Sequence, residues 1–548
     1  MGVRGSRTLL IYLCNTPKCA GSYTSLNSPN KDSEMNPKIT RRSTLTHIVT
    51  TMLVASALNA TAATAATFQY RHPVVGLVIS PTAQAQQVVS EILMALTGGP
   101  ALPAGEVNLA YSYDLKQLLS VSGDPAYNSS NVSWELASGG LPAGLSLGSD
   151  GVISGTPTTK NVAGSSFQVL ATYKTKTGQQ AYTIVVNGAV LHVTQISAGS
   201  NHTCAVTTSG GAKCWGLGSQ GQLGNNSTTS SSVPVDVVGL TSGVASITGG
   251  GAHTCAVTTS GGAKCWGSNS SGQLGNNSTT SSSVPVDVVG LTSGVASITG
   301  GSYHTCAVTT SGRAKCWGSN GYGQLGNNSI TNSKVPVDVV GLTSGVASLT
   351  GGTTHTCAVT TSGGAKCWGR DDNGQLGNNS TTSSGIPVDV VGLTSGVMSI
   401  TGGLFHTCAV TTSGGAKCWG SNNYGQLGNN SITNSSVPVD VVGLTSGVVS
   451  LQAGGTVGGA TCAVTTAGGA KCWGYNYYGQ LGNNSTTDSS VPVDVVGLTS
   501  GVASLTVGGY HACAVTTSGG AKCWGYNYYG QLGNNSTTNR SVPVDVSP

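Results

Sequence analysis

The sequence predicts an all-β protein in which a small β-sandwich precedes a seven-bladed β-propeller. A 15-residue segment, HTCAVTTSGGAKCWG, begins at His202 and recurs with small changes in seven copies. Its first cysteine returns every 51 residues, apart from one step of 54. A fixed period of this length is typical of solenoids, propellers and arrays. Glycine interrupts every stretch and no stretch has the period of an amphipathic helix, so the pattern excludes a helical solenoid.

Each period contains four short strand-like segments. In the second copy they span residues 244–248, 253–258, 263–267 and 284–289. Four strands of about five residues make one propeller blade, and closure of the ring removes the exposed sheet edges that favour aggregation. We therefore predict a seven-bladed propeller over residues 190–548.

The beginning of the chain is typical of an export signal. Arg41 and Arg42 precede a short apolar run, which small residues follow, with candidate cleavage sites at 60–62 and 63–65. A short buried helix is the alternative interpretation of this run. Another apolar stretch precedes a further candidate site at 83–85, so the cleavage position stays open. No apolar run reaches 18 residues, and we expect no membrane-spanning helix.

Short strands separated by turns predict the β-sandwich over residues 105–188. Its predicted strands span residues 132–136, 152–153, 167–173 and 182–186. We interpret residues 1–66 as an over-called start plus the signal peptide. Residues 67–104 are interpreted as a linker or pro-segment with a short helix at 88–96.

One segment of the predicted sandwich carries a recognisable motif. Residues 140–147 read GLPAGLSL, and residues 151–157 read GVISGTP. This part of the chain resembles the immunoglobulin-like (cadherin-like) modules of bacterial surface proteins, which implies a spacer or an adhesive unit. Some relatives of that kind bind calcium, but the sequence here shows no Asp/Glu cluster to hold it.

The repeat also carries a family motif. Trp266-Gly267, the segment Gly272-Gln-Leu-Gly275, Val284-Pro285 and His253-Thr254 resemble the repeats of the regulator of chromosome condensation family. The resemblance implies a seven-bladed propeller. Eukaryotic founders of the family exchange nucleotide on a small nuclear GTPase and bind nucleosomes. Secreted bacterial members include an inhibitor that caps an enzyme. The only insertion between copies is uncharged, within residues 453–460, which argues against the nuclear activity.

The distribution of charge bears on the class of partner. The formal net charge is +5, but residues 1–50 carry seven Lys/Arg against two Asp/Glu. From residue 190 onward, eleven Lys/Arg stand against ten Asp. Nucleic-acid binding needs a basic stripe that neutralises phosphates, and the propeller has none. We expect no nucleic-acid partner.

Fourteen of the sixteen cysteines occur as one pair in each repeat. A three-residue hairpin loop at 208–210 would place residue 207 opposite 211, and therefore Cys204 opposite Cys214, at about 4.5–5.5 Å between Cα atoms. We predict one disulfide per blade. The pairs are Cys204–Cys214, Cys255–Cys265, Cys306–Cys316, Cys357–Cys367, Cys408–Cys418, Cys462–Cys472 and Cys513–Cys523. Zinc ligation and buried free thiols are the alternatives, although each copy offers at most three ligands where structural zinc prefers four.

The copies differ mainly in the loop between Trp-Gly and Gly-Gln and in the residue before each histidine. Blades five to seven are tyrosine-rich there, and tyrosine is a frequent anchor of binding surfaces. The candidate ligand-binding residues are Tyr303, Tyr322, Phe405, Tyr424, Tyr475, Tyr477, Tyr478, Tyr510, Tyr526, Tyr528 and Tyr529. Loop filling, or drift among duplicated copies, is the alternative explanation. We interpret Arg370, Asp371 and Asp372 as a solvated turn.

No catalytic motif or cofactor site is recognisable, and we expect neither an enzyme nor a resident metal or cofactor. The repeated histidines are expected to hydrogen-bond within their own blades. The predicted function is non-catalytic binding or adhesion outside the cell or at its surface, by a monomer that recognises a protein or carbohydrate. An enzyme-inhibitor propeller and a guanine-nucleotide exchange factor are the alternatives.

Overall fold

A computed structural model describes residues 91–455 and 458–548. The predicted export signal and both N-terminal cysteines lie outside the described residues, as does the start of the helix predicted at 88–96. Within the described part of the chain, no helix has the length and apolar character needed to cross a membrane.

Three sheets form the immunoglobulin-like module. The strand order is β2-β9-β8-β5 in one sheet and β3-β7-β6 in another, and β1 pairs with β4. Two short 3-10 helices, Leu115–Leu118 and Ser129–Asn131, join the strands. The strands are β1 Leu93–Leu96, β2 Gly105–Glu106, β3 Tyr111–Asp114, β4 Leu119–Ser122, β5 Ser133–Gly139, β6 Leu145–Leu147, β7 Val152–Gly155, β8 Asn161–Tyr173 and β9 Lys176–Asn187. Trp134, Phe167 and Tyr182 fill the core between the sheets.

The helix predicted at 88–96 is wrong over the residues that are described. Leu93–Leu96 form strand β1, which pairs antiparallel with β4 from Leu93 opposite Ser122 to Leu96 opposite Leu119. Leu96 is buried in the core of the module whereas Leu93 is exposed. Tertiary pairing therefore overrides the local helical tendency of this segment, and the module includes residues that precede the predicted boundary at 105.

The propeller consists of seven four-stranded antiparallel sheets. Each blade uses four strands that are consecutive in the chain. Blades one to four comprise β10 Val193–Ala198, β11 His202–Thr207, β12 Ala212–Gly216, β13 Ser231–Asp236; β14 Val244–Gly249, β15 His253–Thr258, β16 Ala263–Gly267, β17 Ser282–Asp287; β18 Val295–Gly300, β19 His304–Thr309, β20 Ala314–Gly318, β21 Ser333–Asp338; and β22 Val346–Gly351, β23 His355–Thr360, β24 Ala365–Gly369, β25 Ser384–Asp389. Blades five to seven comprise β26 Val397–Gly402, β27 His406–Thr411, β28 Ala416–Gly420, β29 Ser435–Asp440; β30 Val448–Gly454, β31 Ala460–Thr465, β32 Ala470–Gly474, β33 Ser489–Asp494; and β34 Val502–Val507, β35 His511–Thr516, β36 Ala521–Gly525, β37 Arg540–Asp545.

The predicted strands of the second blade agree with the structure except at the outer edge. The fourth strand spans Ser282–Asp287, two residues earlier than predicted. The Val288 amide still bonds to the Ala263 carbonyl of the neighbouring strand at 3.1 Å, whereas the Val289 amide turns to the Gly275 carbonyl in the preceding loop at 3.0 Å. The two valines thereby start the turn that leads to the next blade.

The segment before the first blade closes the ring. The Leu191 amide donates to the Val546 carbonyl at 3.0 Å, and the Leu191 carbonyl accepts from the Ala521 amide at 3.0 Å. Within the first blade, Leu240 makes the same two contacts, with Val237 and Ala212. Leu191 therefore supplies to the last blade the leucine that every other blade obtains from its own following turn.

Candidate functional site

Each blade contains one disulfide between its second and third strands. Cys204 lies directly opposite Cys214, and the corresponding cysteines of the other blades are paired in the same register. The three-residue loop closes as the sequence predicts, since the Thr207 amide bonds to the Gly211 carbonyl at 2.8 Å. The Cα atoms are 4.0–4.1 Å apart, closer than the predicted 4.5–5.5 Å. All fourteen of these cysteines are fully buried.

Neighbouring blades are joined by a recurring polar contact, which we call the blade joint. His202 Nε2 lies 2.9 Å from Thr254 Oγ1 in the next blade. Thr254 Oγ1 in turn donates to the Gln222 carbonyl of the first blade at 2.9 Å, and Trp266 Nε1 donates to the same carbonyl at 3.0 Å. The expectation that the histidines bond within their own blades is therefore wrong. They bond to the following blade because the start of the second strand faces it.

The blade joint fixes the tautomer of the histidines, and their burial keeps them neutral. The threonine hydroxyl donates its proton to the glutamine carbonyl. The contact with the histidine therefore requires that His Nε2 carries a proton and donates it to the threonine oxygen. The Nδ1 atoms are buried without a hydrogen-bond partner. Burial lowers the pKa of His202, with smaller contributions from His253 and His511, to about 3. These histidines are neutral structural groups and are not available for acid–base catalysis.

One of the seven interfaces lacks both members of the histidine–threonine pair. The sixth blade has Ala460 in the histidine position, and the seventh blade has Ala512 in the threonine position. A lone histidine would bury an unsatisfied N–H, whereas replacing both partners by apolar residues is close to neutral. The paired loss follows this rule, and Trp524 Nε1 still donates to the Gln480 carbonyl at 2.9 Å.

Thr356→Val tests the blade joint. This change keeps the shape of the side chain but leaves His304 Nε2, which lies 2.9 Å from Thr356 Oγ1, without its partner. We expect the free energy of unfolding to fall by about 1–3 kcal/mol in urea denaturation. Ala512→Thr adds the same hydroxyl where no histidine faces it, and we expect a change of less than about 1 kcal/mol. Equal effects of the two changes would contradict the assigned role of the histidine.

The loop between Trp-Gly and Gly-Gln has one buried scaffold position, its second residue. In the second blade, Asn269 Oδ1 accepts from the Leu274 amide at 2.9 Å. Asn269 Nδ2 lies 3.0–3.1 Å from three oxygens, Asn276 Oδ1 and the carbonyls of Ser278 and Thr280. Blades three, five, six and seven repeat this arrangement with Asn320, Asn422, Asn476 and Asn527. In these five blades the second residue is therefore part of the scaffold, and the other loop positions form the surface, a distinction that the sequence comparison missed.

Eight of the predicted residues form an aromatic cluster on blades five to seven, made of one pair of rings and one connected set of six rings. It consists of Tyr424, Tyr475, Tyr477, Tyr478, Tyr510, Tyr526, Tyr528 and Tyr529. The Tyr424 and Tyr475 rings are 5.0 Å apart, and Tyr478 lies 4.7 Å from Tyr526 across the next blade boundary. Tyr477 and Tyr528 are 66% and 67% exposed, while the other six are partly buried between their neighbours. Ring-to-ring packing therefore holds a surface of phenol groups in place.

The three remaining predicted residues border the same surface. Tyr322 and Phe405 lie on either side of the Arg370 guanidinium, at 4.8 and 4.9 Å from the ring centroids. Tyr303 and Tyr510 line a concave pocket of about 330 Å³, together with Leu404. The sequence comparison did not single out Leu404, although this position holds Ser, Thr or Gly in the other blades, because only the residue directly before each histidine was compared.

The fourth blade differs at the scaffold position of its loop. Asp371 takes the place of the asparagine and is fully buried, so the expected solvated turn is wrong for this residue. Asp371 Oδ1 accepts from the Leu376 amide at 2.8 Å, but Oδ2 has no hydrogen-bond partner. Burial raises the pKa of the Asp371 carboxyl to about 7, against the lowering effect of the Leu376 hydrogen bond. Asp372 is exposed and pairs with Arg370 at 2.6 Å.

Metal ions in proteins are usually held by a cluster of His, Cys, Asp or Glu side chains. No group of three or more His, Cys, Asp or Glu side chains is clustered in residues 91–455 and 458–548. Seven repeated ion pairs, such as Lys264–Asp287 at 2.6 Å, occupy one lysine in each blade. The loops of the propeller thus present mainly aromatic contact area and neutral hydrogen-bonding groups in the described residues.

Comparisons with known proteins agree with this architecture. The family model described as "RCC1-like domain" matches residues 174–460, and the model "Regulator of chromosome condensation (RCC1) repeat" matches residues 472–515 and 519–548. The model "Putative Ig domain" matches residues 93–187.

Several relatives share the repeats. The Ultraviolet-B receptor UVR8 of Arabidopsis thaliana is 31% identical over 354 residues, which cover 64% of this chain and 80% of the receptor. The E3 ubiquitin-protein ligase HERC2 of Homo sapiens is 33% identical over 340 residues, which cover 60% of this chain but only 7% of the ligase. Yeast RCC1 (Prp20), solved in complex with Kap60, has a TM-score of 0.55 at 20% identity, covering 65% of this chain and 85% of that chain, and shows the fold alone. The chain therefore belongs to the family of RCC1-like domains, whose blades are regulator of chromosome condensation repeats.

Proposed function

We propose that this protein is an exported, non-catalytic scaffold that binds a protein or glycan partner through the aromatic cluster. The observation that carries the proposal is the continuity of the cluster. Six tyrosines of blades six and seven form one connected set of ring contacts, although they come from two copies of the repeat. The Tyr424–Tyr475 pair extends the tyrosine-rich loops to blade five. Tyrosine provides a large rigid contact area with a polar tip, at a small cost in conformational entropy.

The chemistry of the surroundings supports a neutral partner. Arg370 is held between two rings and paired with Asp372, so its charge is largely compensated. The pocket beside Tyr303 and Tyr510 has small, polar and apolar residues and no charged side chain in its lining. A neutral aromatic surface fits a sugar ring or an apolar protein segment, and it does not fit a phosphate backbone.

Departures from the repeat also coincide in the same blades. The three-residue insertion within 453–460 and the paired loss at Ala460 and Ala512 all fall in blades six and seven. Gly458, which follows the insertion, lies under Tyr475, because a side chain at Gly458 would come within 2.5 Å of that ring. In blades six and seven, the backbone and the loops therefore both depart from the repeat, and these are the blades that carry most of the tyrosines.

Export is proposed from the sequence and is compatible with the seven disulfides. Ordered disulfides of this density suit an oxidising compartment. A monomer of the secreted bacterial type, without a cofactor and without nucleic-acid binding, is the form that we propose. The immunoglobulin-like module then serves as a spacer or adhesive unit before the propeller.

A comparative capture experiment tests this function. The full chain is immobilised, and proteins and glycans from extracellular extracts are captured by the parent and by a variant with Tyr475, Tyr477, Tyr526 and Tyr528 changed to Ala. A matched control carries Ala at Ser219, Gln220, Ser270 and Ser271, the corresponding loops of blades one and two. We expect the tyrosine variant to lose at least about 100-fold in affinity for the captured partner, as expected when several anchors are truncated. We expect the control to bind like the parent. Equal capture by all three proteins would refute the proposal.

A further inference from the structure

Outside the aromatic cluster, the most unusual group of the propeller is the buried carboxylate of Asp371. Its loop has the same frame as the asparagine-containing loops. The Asp371 amide bonds to Ser383 Oγ at 3.2 Å and its carbonyl accepts from Gly374 at 2.8 Å. In the second blade, the same contacts of Asn269 measure 3.3 and 2.8 Å. Asp371 Oδ2 therefore occupies the place that an amide nitrogen occupies in five other blades.

At this place the carboxylate oxygen of Asp371 faces hydrogen-bond acceptors, whereas the asparagine nitrogen of the other blades donates to them. In the second blade, Nδ2 of Asn269 lies within 3.1 Å of one amide oxygen and two backbone carbonyls. The corresponding groups of the fourth blade are Asn378 Oδ1 and the carbonyls of Ser380 and Thr382. Asp371 Oδ2 and Asn378 Oδ1 are both buried without a hydrogen-bond partner. The loop frame that the fourth blade shares with the second thus places four oxygens together, and none of the four carries a proton to donate.

A proton on Asp371 would satisfy one of the three facing oxygens and leave the other two against the carboxyl group. A cation binds all four oxygens at once, because coordination does not require a donor for each acceptor. Carboxylate, amide and backbone carbonyl oxygens are the ligand types that Ca²⁺ prefers, and water completes its shell. Arg370 cannot supply the charge, because its guanidinium is held by Tyr322, Phe405 and Asp372.

We propose that the loop of the fourth blade is a binding site for a hard cation of the Ca²⁺ class. Its ligands are Asp371 Oδ2, Asn378 Oδ1 and the carbonyls of Ser380 and Thr382. Thr382 is exposed and Ser380 is partly exposed, so a cation reaches the site from the loop surface without opening the core. A single carboxylate places the dissociation constant at about 10⁻⁴–10⁻³ M, the range of extracellular calcium modules.

Thermal unfolding of the full chain at pH 7.5 tests the site. With 10 mM CaCl₂ against EDTA, we expect Tm to rise by about 2–5 °C for the parent. Asp371→Asn restores the amide of the other blades, and we expect this variant to melt higher than the parent in EDTA and to show no calcium response. MgCl₂ should act more weakly, because Mg²⁺ demands octahedral geometry and keeps its waters.

A reciprocal variant keeps the test independent of any stability change at Asp371. Asn269→Asp recreates the four-oxygen arrangement in the second blade, and we expect it to lower Tm in EDTA and to enlarge the calcium-dependent rise. One result would show that a proton takes the place of the cation. In that case the Tm of the parent does not change with CaCl₂, and the difference in Tm between the parent and Asp371→Asn disappears when the pH is lowered to 5. That result would overturn the proposal.

Discussion

Acidification from pH 7 to about pH 4 is expected to unfold the propeller, because six buried histidines must remain neutral in the folded state. Burial lowers the pKa to about 3 for His202, His304, His355 and His511, and to about 4 for His253 and His406. The ordinary value is 6.5, so the unfolded chain binds protons first as the pH falls. Stability is therefore complete above pH 6.5 and is lost progressively between pH 6.5 and the folded-state values.

The magnitude follows from the number of protons taken up on unfolding. Six histidines that protonate only in the unfolded chain give a slope of about 8 kcal/mol per pH unit near pH 5. Urea denaturation at pH 7, 6 and 5, followed by tryptophan fluorescence, measures this slope. His304→Gln keeps an amide donor toward Thr356 but does not titrate, and it should reduce proton uptake by one. A free energy of unfolding that is constant from pH 7 to pH 5 would contradict the assigned neutral state.

Reduction of the seven disulfides is expected to unfold the propeller at 37 °C. Each bridge joins cysteines ten residues apart, and closing so short a loop contributes about 2–3 kcal/mol. Repeat proteins sum such terms over their units, so losing all seven exceeds the stability of an ordinary domain. Cys357→Ala with Cys367→Ala removes one bridge and should lower the unfolding free energy by about 2–3 kcal/mol.

Thermal melts with and without a phosphine reductant measure the effect of reduction. Mass spectrometry after alkylation provides the control, because full reduction of the propeller adds fourteen alkylated thiols to the unreduced count. An unchanged Tm in a sample that carries all fourteen additional labels would contradict the expected contribution of the bridges.

Local features of the fold were predictable because they depend on the spacing of residues within one repeat. The three-residue loop at Gly210, which has a φ of 80°, sets the register that places Cys204 opposite Cys214. The strand at Leu93–Leu96 was not predictable, because its pairing with β4 runs from Leu93 opposite Ser122 to Leu96 opposite Leu119, in a strand that follows only after a turn and a short helix. Local propensity does not carry that information.

The contacts between blades could not be predicted from the sequence pattern either. Identical repeats do not reveal which surface of one copy meets the next, and the bond from His202 to Thr254 crosses that boundary. One signal was present, since Ala460 and Ala512 depart together from the positions that form the pair elsewhere. The burial of Asp371 was hidden for a different reason. A charged residue in a glycine-rich turn is usually solvated, and only the loop geometry shows that its side chain points inward.

The aromatic cluster was predictable as a set of residues but not as one surface. Tyr478 and Tyr526 lie in different blades, and only the propeller geometry brings their rings within 4.7 Å. The binding role of this surface is the central claim, and tyrosine nitration in the presence of the captured partner tests it most directly. The account predicts that Tyr477 and Tyr528, the two most exposed rings of the cluster, are protected by the partner. Tyr113 and Tyr127 of the immunoglobulin-like module serve as internal references and should react equally with and without it. Unchanged nitration of Tyr477 and Tyr528 in a saturated complex would contradict the claim.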